Sequence, residues 1–139
     1  MVKIEATADL KNLKLLTGFI ESSLKKITSN FELLHDLILA SEEIIVNIIL
    51  YSYPEEKGLI KVWIFLDKNS FVSIVIKDHG QPFNPLEKQE PDLAASLDQR
   101  AIGGLGIFLV KKLVDDISYC RKNNSNILIL KKKLHKEAI

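Results

Sequence analysis

The chain has 139 residues, which fits one domain, 1–139, built around one hydrophobic core. Hydrophobic residues at 47% and charged residues at 27% exclude a disordered chain and a fibrous repeat, and a formal net charge of +1 without clustering offers no footprint for direct contact with nucleic acid or with an anionic membrane. The lone Cys120 cannot form an internal disulfide, no His/Cys group has zinc spacing, and the apolar runs are too short to span a bilayer, so a reduced, cytosolic protein is expected.

Val2, Ile4 and Ala6 alternate with Lys3 and Glu5, predicting a short first strand at a sheet edge. From Leu10 the period changes. Leu10, Leu13, Leu16, Phe19, Ile20 and Leu24 recur at helical spacing, with Asp9 placed to cap the first helix. Thr28-Ser29-Asn30 interrupts, and a longer second helix runs from residue 31 to about 53, ended by Tyr53-Pro54. Leu59–Leu66 and Phe71–Ile76 are β-branched and aromatic, separated by Asp67-Lys68-Asn69-Ser70, which predicts a hairpin. Residues 78–102 contain Pro82, Pro85 and Pro91 and hold no period. A loop of that length in a small domain is usually functional, often a lid. Gly103-Gly104-Leu105-Gly106 opens a third helix extending to about Asp116, followed by strands near 117–122 and 127–133 with Asn123-Asn124-Ser125 as their turn. The order predicts an α+β fold: a two-layer sandwich in which a mixed, mainly antiparallel sheet is covered on one face by three helices.

Chemistry concentrates at three places. Residues 44–50 are apolar except for Asn47, and Glu43 lies one turn earlier on the same face. An amide buried without a partner costs on the order of 2–7 kcal/mol in an apolar medium. Glu43 and Asn47 therefore either satisfy each other or a capped loop, or they serve a metal and a phosphate; one Asn carbonyl is an adequate protein ligand for Mg²⁺, which takes its remaining oxygens from phosphates and water. Asp78-His79-Gly80-Gln81-Pro82 follows a strand end and is either a plain turn or an acceptor for an exocyclic amine with backbone space beside a planar ring. Gly103-Gly104-Leu105-Gly106 is either a tight loop-to-helix turn or a phosphate cradle of bare backbone amides. It lacks the Lys-Ser/Thr of a Walker loop and the closely preceding strand of a dinucleotide fingerprint.

Taken in order, Glu43-x-x-x-Asn47, then Asp78-x-Gly80-x-Pro82-Phe83-Asn84-Pro85, then Gly103-Gly104-Leu105-Gly106 resembles the ATP-binding family of gyrase, the ninety-kilodalton chaperone, mismatch-repair MutL and histidine kinases. Within that family the pattern resembles the stand-alone anti-sigma-factor serine kinases, over about residues 9–134. The resemblance implies a histidine-kinase-like ATPase fold using ATP and Mg²⁺. Asn47 would hold the metal, Asp78 would read the adenine amine and Gly80 would lie against the base, with Pro82 and Phe83 also among the cofactor-binding residues. Gly104 and Gly106 would line the phosphates, with Gly103 and Leu105 also among the cofactor-binding residues, beneath a lid at 83–102. Arg100 either reaches a terminal phosphate or is an exposed lid charge. Glu43 would be the general base for transfer to a partner serine.

The implied activity is that of a protein-serine kinase and anti-sigma factor, acting as a homodimer on a sigma factor and on a small STAS-type antagonist. A catalytically weak, ATP-gated binding module is the alternative. Its motive is that Val46, Ile48 and Tyr51 stand where this branch commonly carries Thr, a small residue and His. Trp63 is read as core or as dimer surface.

Overall fold

Two hydrophobic periods organise the chain in the computed structural model, which describes residues 1–87 and 104–134. The period of two yields five strands: β1 (Val2–Thr7), β2 (Leu59–Leu66), β3 (Phe71–Asp78), β4 (Asp116–Lys122) and β5 (Ser125–Lys133). They form one sheet in the order β1-β2-β3-β5-β4, and all four pairings are antiparallel. The register aligns Val62, Ile76 and Leu128 across three strands, and Ile64, Ile74 and Leu130 two residues further on, so one face is a continuous aliphatic surface.

The 3.6-residue period yields α1 (Leu13–Lys25), α2 (Phe31–Tyr51) and α3 (Gly104–Leu113). α1 buries Leu16, Ile20 and Leu24; α2 buries Leu33, Leu37, Ala40, Ile44 and Ile48; α3 contributes Ile107 and Val110. Each fully buried Leu or Ile contributes about 1.5–3 kcal/mol of hydrophobic stabilisation. α2 packs against α1, α3 and the sheet, which explains why its middle is apolar almost all round. The two-layer α+β sandwich expected from the sequence is the fold observed, except that among the described residues the sheet is antiparallel throughout instead of mixed, because β5 returns from β4 by a hairpin to lie antiparallel beside β3.

Several boundaries differ from those expected. Asp9 caps a single 3-10 turn, Leu10–Asn12, by accepting from the Lys11 amide, and α1 starts only at Leu13. α2 stops at Tyr51, with Ser52 as its C-cap, two residues earlier than the proline alone implies. β3 continues through Asp78, whose parity with Ile74 and Ile76 turns it toward the helices. α3 ends at Leu113, so Asp116 begins β4 instead of ending the helix. Asn123 and Asn124 alone make the last turn, both at positive φ (52° and 59°), the geometry that suits the twist of a two-residue hairpin; Ser125 already belongs to β5.

The sheet order positions the site. β5 inserts between β3 and β4, so its first residues, Ser125 and Asn126, lie beside the last residue of β3, and Asp78 pairs directly with Asn126. The C-terminal half of α2 passes over this end of the sheet. Trp63 lies half-buried on the opposite face, where it shares a shelf with Phe65, Val75 and Ile127 and Lys3 Nζ stands 5.2 Å from its ring centroid.

Candidate functional site

Asn47 and Asp78 line one cleft between α2 and the sheet, together with Ile44, Ile48, Ile76, Phe83, Pro85, Tyr119, Asn126 and Leu128. Asn47 is 2% exposed, and neither its Oδ1 nor its Nδ2 finds a hydrogen-bond partner among the described residues. Native proteins pair nearly all buried polar atoms, because an unmade bond costs about 1–3 kcal/mol. An amide aimed into a cleft with both ends unpaired there is suited to a polar ligand, and its carbonyl to a hard cation.

Asp78 is 1% exposed but well supplied with donors. Its Oδ1 accepts from the Gly80 amide at 2.9 Å and from Asn126 Nδ2 at 2.9 Å. Burial pushes its pKa up. The bonds from Asn126 and Gly80, the neighbouring Ser52 hydroxyl and the Arg121 charge oppose that rise. Both of these hydrogen bonds fall on Oδ1, and the Ser52 hydroxyl is a further donor beside the carboxylate.

Asn126 is the residue that the sequence reading missed. Its Nδ2 also donates to the Gln81 carbonyl at 2.8 Å, and its Oδ1 accepts from the Phe83 amide at 3.2 Å and from the Tyr119 hydroxyl. One amide thus ties β3, β4, β5 and the 81–83 segment together. Arg121 was missed as well: its Nη1 donates to the Gly80 carbonyl at 2.8 Å. Asn126→Ala is expected to lower stability by about 1–3 kcal/mol by stranding these partners, read as a lower urea midpoint with an unchanged slope. An unchanged midpoint would show that water replaces the amide at no cost.

Gly80 has a second reason to be glycine. A Cβ there would lie 2.8 Å from Ser52 Cβ and run into the Ser52 carbonyl, which also accepts from the Gln81 amide at 2.8 Å. Gly80 faces the α2 C-cap and is absent from the lining of the Asn47 cleft. Pro82 is exposed and also outside that lining, whereas Phe83 lines it and stacks on Tyr51 with ring centroids 5.3 Å apart. Pro85, buried, closes the same wall.

Glu43 reaches from α2 to α3. A Cβ built on Gly106 would collide with Glu43 Oε2 and lie 3.0 Å from its carboxyl carbon. Burial, and then the charge of Glu42, raises the Glu43 pKa above its ordinary value. Gly104 and Leu105 form the first residues of α3. Gly103, Arg100 and residues 88–102 of the expected lid lie outside the described residues. The structure thus gathers Glu43, Asn47, Asp78, Phe83 and Gly106 around the α2–α3–sheet junction, and it sets Gly80 and Pro82 behind it.

An amide buried and unpaired among the described residues, a buried acid at a strand end, and a helix opened by Gly104 with a carboxylate against it are features suited to a nucleotide-binding α+β domain. The profile of the histidine kinase-like ATPase domain matches residues 6–132, and the chain belongs to that family. Similar proteins include the serine-protein kinase RsbW of Bacillus pumilus, 27% identical over 152 aligned positions covering 96% of this chain and 91% of that protein. The serine/threonine-protein kinase BtrW of Bordetella bronchiseptica is 30% identical over 95 positions, covering 68% and 66%. A crystal structure of the RsbU and RsbW domains of a Mycobacterium tuberculosis protein superposes with a TM-score of 0.70 at 16% identity, over 99% of this chain and 34% of that one, which supports the fold. The enzyme class expected from the sequence, a protein serine/threonine kinase, is the one these relatives carry in their names. Among the described residues no helix is long and apolar enough to cross a membrane.

Proposed function

We propose that this chain is a Mg-ATP-dependent protein-serine kinase that acts as an anti-sigma factor in the cytoplasm. In this reading it sequesters a sigma factor and phosphorylates a small STAS-type antagonist. The observation that carries the reading is Asn47: an amide 2% exposed, unpaired at both ends among the described residues, one helical turn from Glu43 and in the same cleft as Asp78.

Asn47 Oδ1 would ligate Mg²⁺, and Asp78 Oδ2 would accept from the adenine amine. Phe83 and the aliphatic wall of Ile44, Ile48, Ile76 and Leu128 would cover the base. Mg²⁺, when bound with the nucleotide, supplies charge neutralisation at the phosphates. Glu43 accepts the serine proton as the hydroxyl oxygen bonds to the γ-phosphorus and the bond to the β–γ bridging oxygen breaks. Gly103 to Gly106 would present backbone amides to the phosphates under a lid at 83–102, and Arg100 would either reach a terminal phosphate or be a charge on that lid.

The raised pKa of Glu43 has a sign that can be tested. A base must be deprotonated, so the acidic limb of transfer is expected above the ordinary glutamate value. Glu42→Gln removes the like charge and should move that limb to lower pH; a limb that stays put would detach it from Glu43.

A homodimer is part of the proposal, and the shelf of Trp63, Phe65, Val75 and Ile127 opposite the helices is an apolar surface suited to being covered. Trp63→Glu is expected to shift sedimentation toward monomer, whereas an unchanged profile would place the contact elsewhere.

The test of the activity is transfer from γ-labelled ATP to the small STAS-type proteins of the source organism. Label on a serine supports the kinase. A stable complex with bound ATP and no label supports the ATP-gated binding module, for which the Tyr51–Phe83 stack at a family-variant position is the structural motive.

A further inference from the structure

Glu43 and Gly106 come from different helices, 63 positions apart in the sequence, yet nothing separates them in space. Gly106 is the third residue of α3, and a methyl group there would meet the Glu43 carboxyl at Oε2, at Cδ (3.0 Å) and at Cγ (3.6 Å). All three nearest atoms belong to this one side chain. Real Cβ atoms do not approach other heavy atoms below 3.0 Å, so a larger residue at 106 makes the carboxyl move, a shift that costs little in stability because it falls on the end of a flexible side chain but displaces the carboxylate all the same.

The phosphate role of the glycine run does not explain this contact. Bare amides for an anion require that the backbone be reachable. They do not require that the side-chain direction of the third helical residue be filled by a carboxylate from a neighbouring helix. Glycine is also a poor choice inside a helix, where alanine is the better former. Here the missing Cβ is the space in which the Glu43 carboxyl lies. Among the described residues no hydrogen bond or ion pair holds that carboxyl, which lies against α3 at Gly106.

We infer that Gly106 is a positioning residue for Glu43, its missing side chain seating the carboxylate against α3 where it faces the transferring group. The inference rests on the reading of Glu43 as the general base. A small misplacement of a reacting group costs on the order of 100-fold in rate. Gly106→Ala should therefore lower kcat for serine phosphorylation by about that factor, while KM for ATP changes by less than about threefold.

The test is a pair of mutant cycles. In the first, kcat is measured for wild type, Gly106→Ala, Glu43→Asp and the double variant. The aspartate ends one methylene short of position 106, so Glu43→Asp should cost less in the Gly106→Ala background than in wild type. In the second, melting temperature and affinity for a fluorescent ATP analogue are measured for Gly106→Ala with and without Glu43→Ala. Once the carboxylate is gone, the alanine should cost nothing and should even raise the melting temperature.

A rise in KM for ATP with kcat unchanged, or an equal cost of Gly106→Ala in the presence and absence of the Glu43 side chain, would overturn the inference and leave Gly106 to the phosphates alone. The melting cycle separates the two readings. Coupling in melting temperature without any transfer by wild type would sink the kinase and the positioning role together while keeping the contact. Transfer by wild type without coupling would sink the positioning role alone.

Discussion

Asp78→Asn is expected to weaken ATP binding by roughly 10- to 150-fold, the value of a hydrogen bond to a charged group (about 1.5–3 kcal/mol), and at the same time to raise the melting temperature at neutral pH. The first effect follows from geometry. Gly80 N–H and Asn126 Nδ2 both donate to Oδ1 of Asp78. An asparagine there must keep its carbonyl oxygen at that position, and its amide nitrogen then replaces Oδ2. In the proposed site that donor would face the adenine amine, itself a donor.

The second effect follows from linkage. Burial raises the Asp78 pKa in the folded state above its unfolded value, so the folded protein binds this proton more tightly. The contribution to stability is fully present below the unfolded pKa and is lost as pH rises through the folded one. At neutral pH the charged carboxylate opposes folding, and the neutral amide relieves it. Melts at pH 7 should favour the variant, with the difference shrinking as pH falls through the carboxylate range. A variant that melts lower at pH 7 would mean that the hydrogen bonds to Asp78 outweigh its desolvation.

Glu43→Gln is expected to reduce serine phosphorylation by about 10²–10⁴-fold, the usual contribution of a general base, with Mg-ATP affinity nearly unchanged. Glutamine keeps the length and shape that fit against Gly106 but cannot take a proton. Quenched-flow transfer under saturating ATP and a direct titration of nucleotide separate the two quantities. Retained transfer would remove Glu43 from the role of base, and lost ATP binding would make it part of the nucleotide site instead.

Much of this was legible because both hydrophobic periods are strongly written. Leu16, Ile20 and Leu24 on α1, and the alternation Ile60, Val62, Ile64 on β2, announce which faces are buried. Asn47 was legible for the same reason, as one polar residue in an apolar run. Asn126 was not, although the same test applies to it. It shares parity with Leu128 and Leu130 on the buried face of β5, but a strand started at Ile127 leaves it looking like part of an Asn-rich turn. Asp78 was found and Asn126 was missed for a topological reason. Their pairing exists only because β5 inserts beside β3, and no local pattern states that order. Arg121 escaped notice in the same way, since its bond to the Gly80 carbonyl spans 41 positions. Gly80 shows the converse: a glycine read as space for a ring also gives room to the α2 C-cap.

In the proposed function the cleft between α2 and the sheet takes a nucleotide together with a divalent cation held by Asn47. Calorimetric titration of ATP into wild type and Asn47→Ala, each with and without Mg²⁺, tests it most directly. Mg²⁺ should tighten ATP binding to wild type and do little for the variant, whose metal-free affinity should stay close to that of wild type. An equal gain from Mg²⁺ in both proteins would contradict the assignment and leave the buried amide of Asn47 without the ligand argued for it.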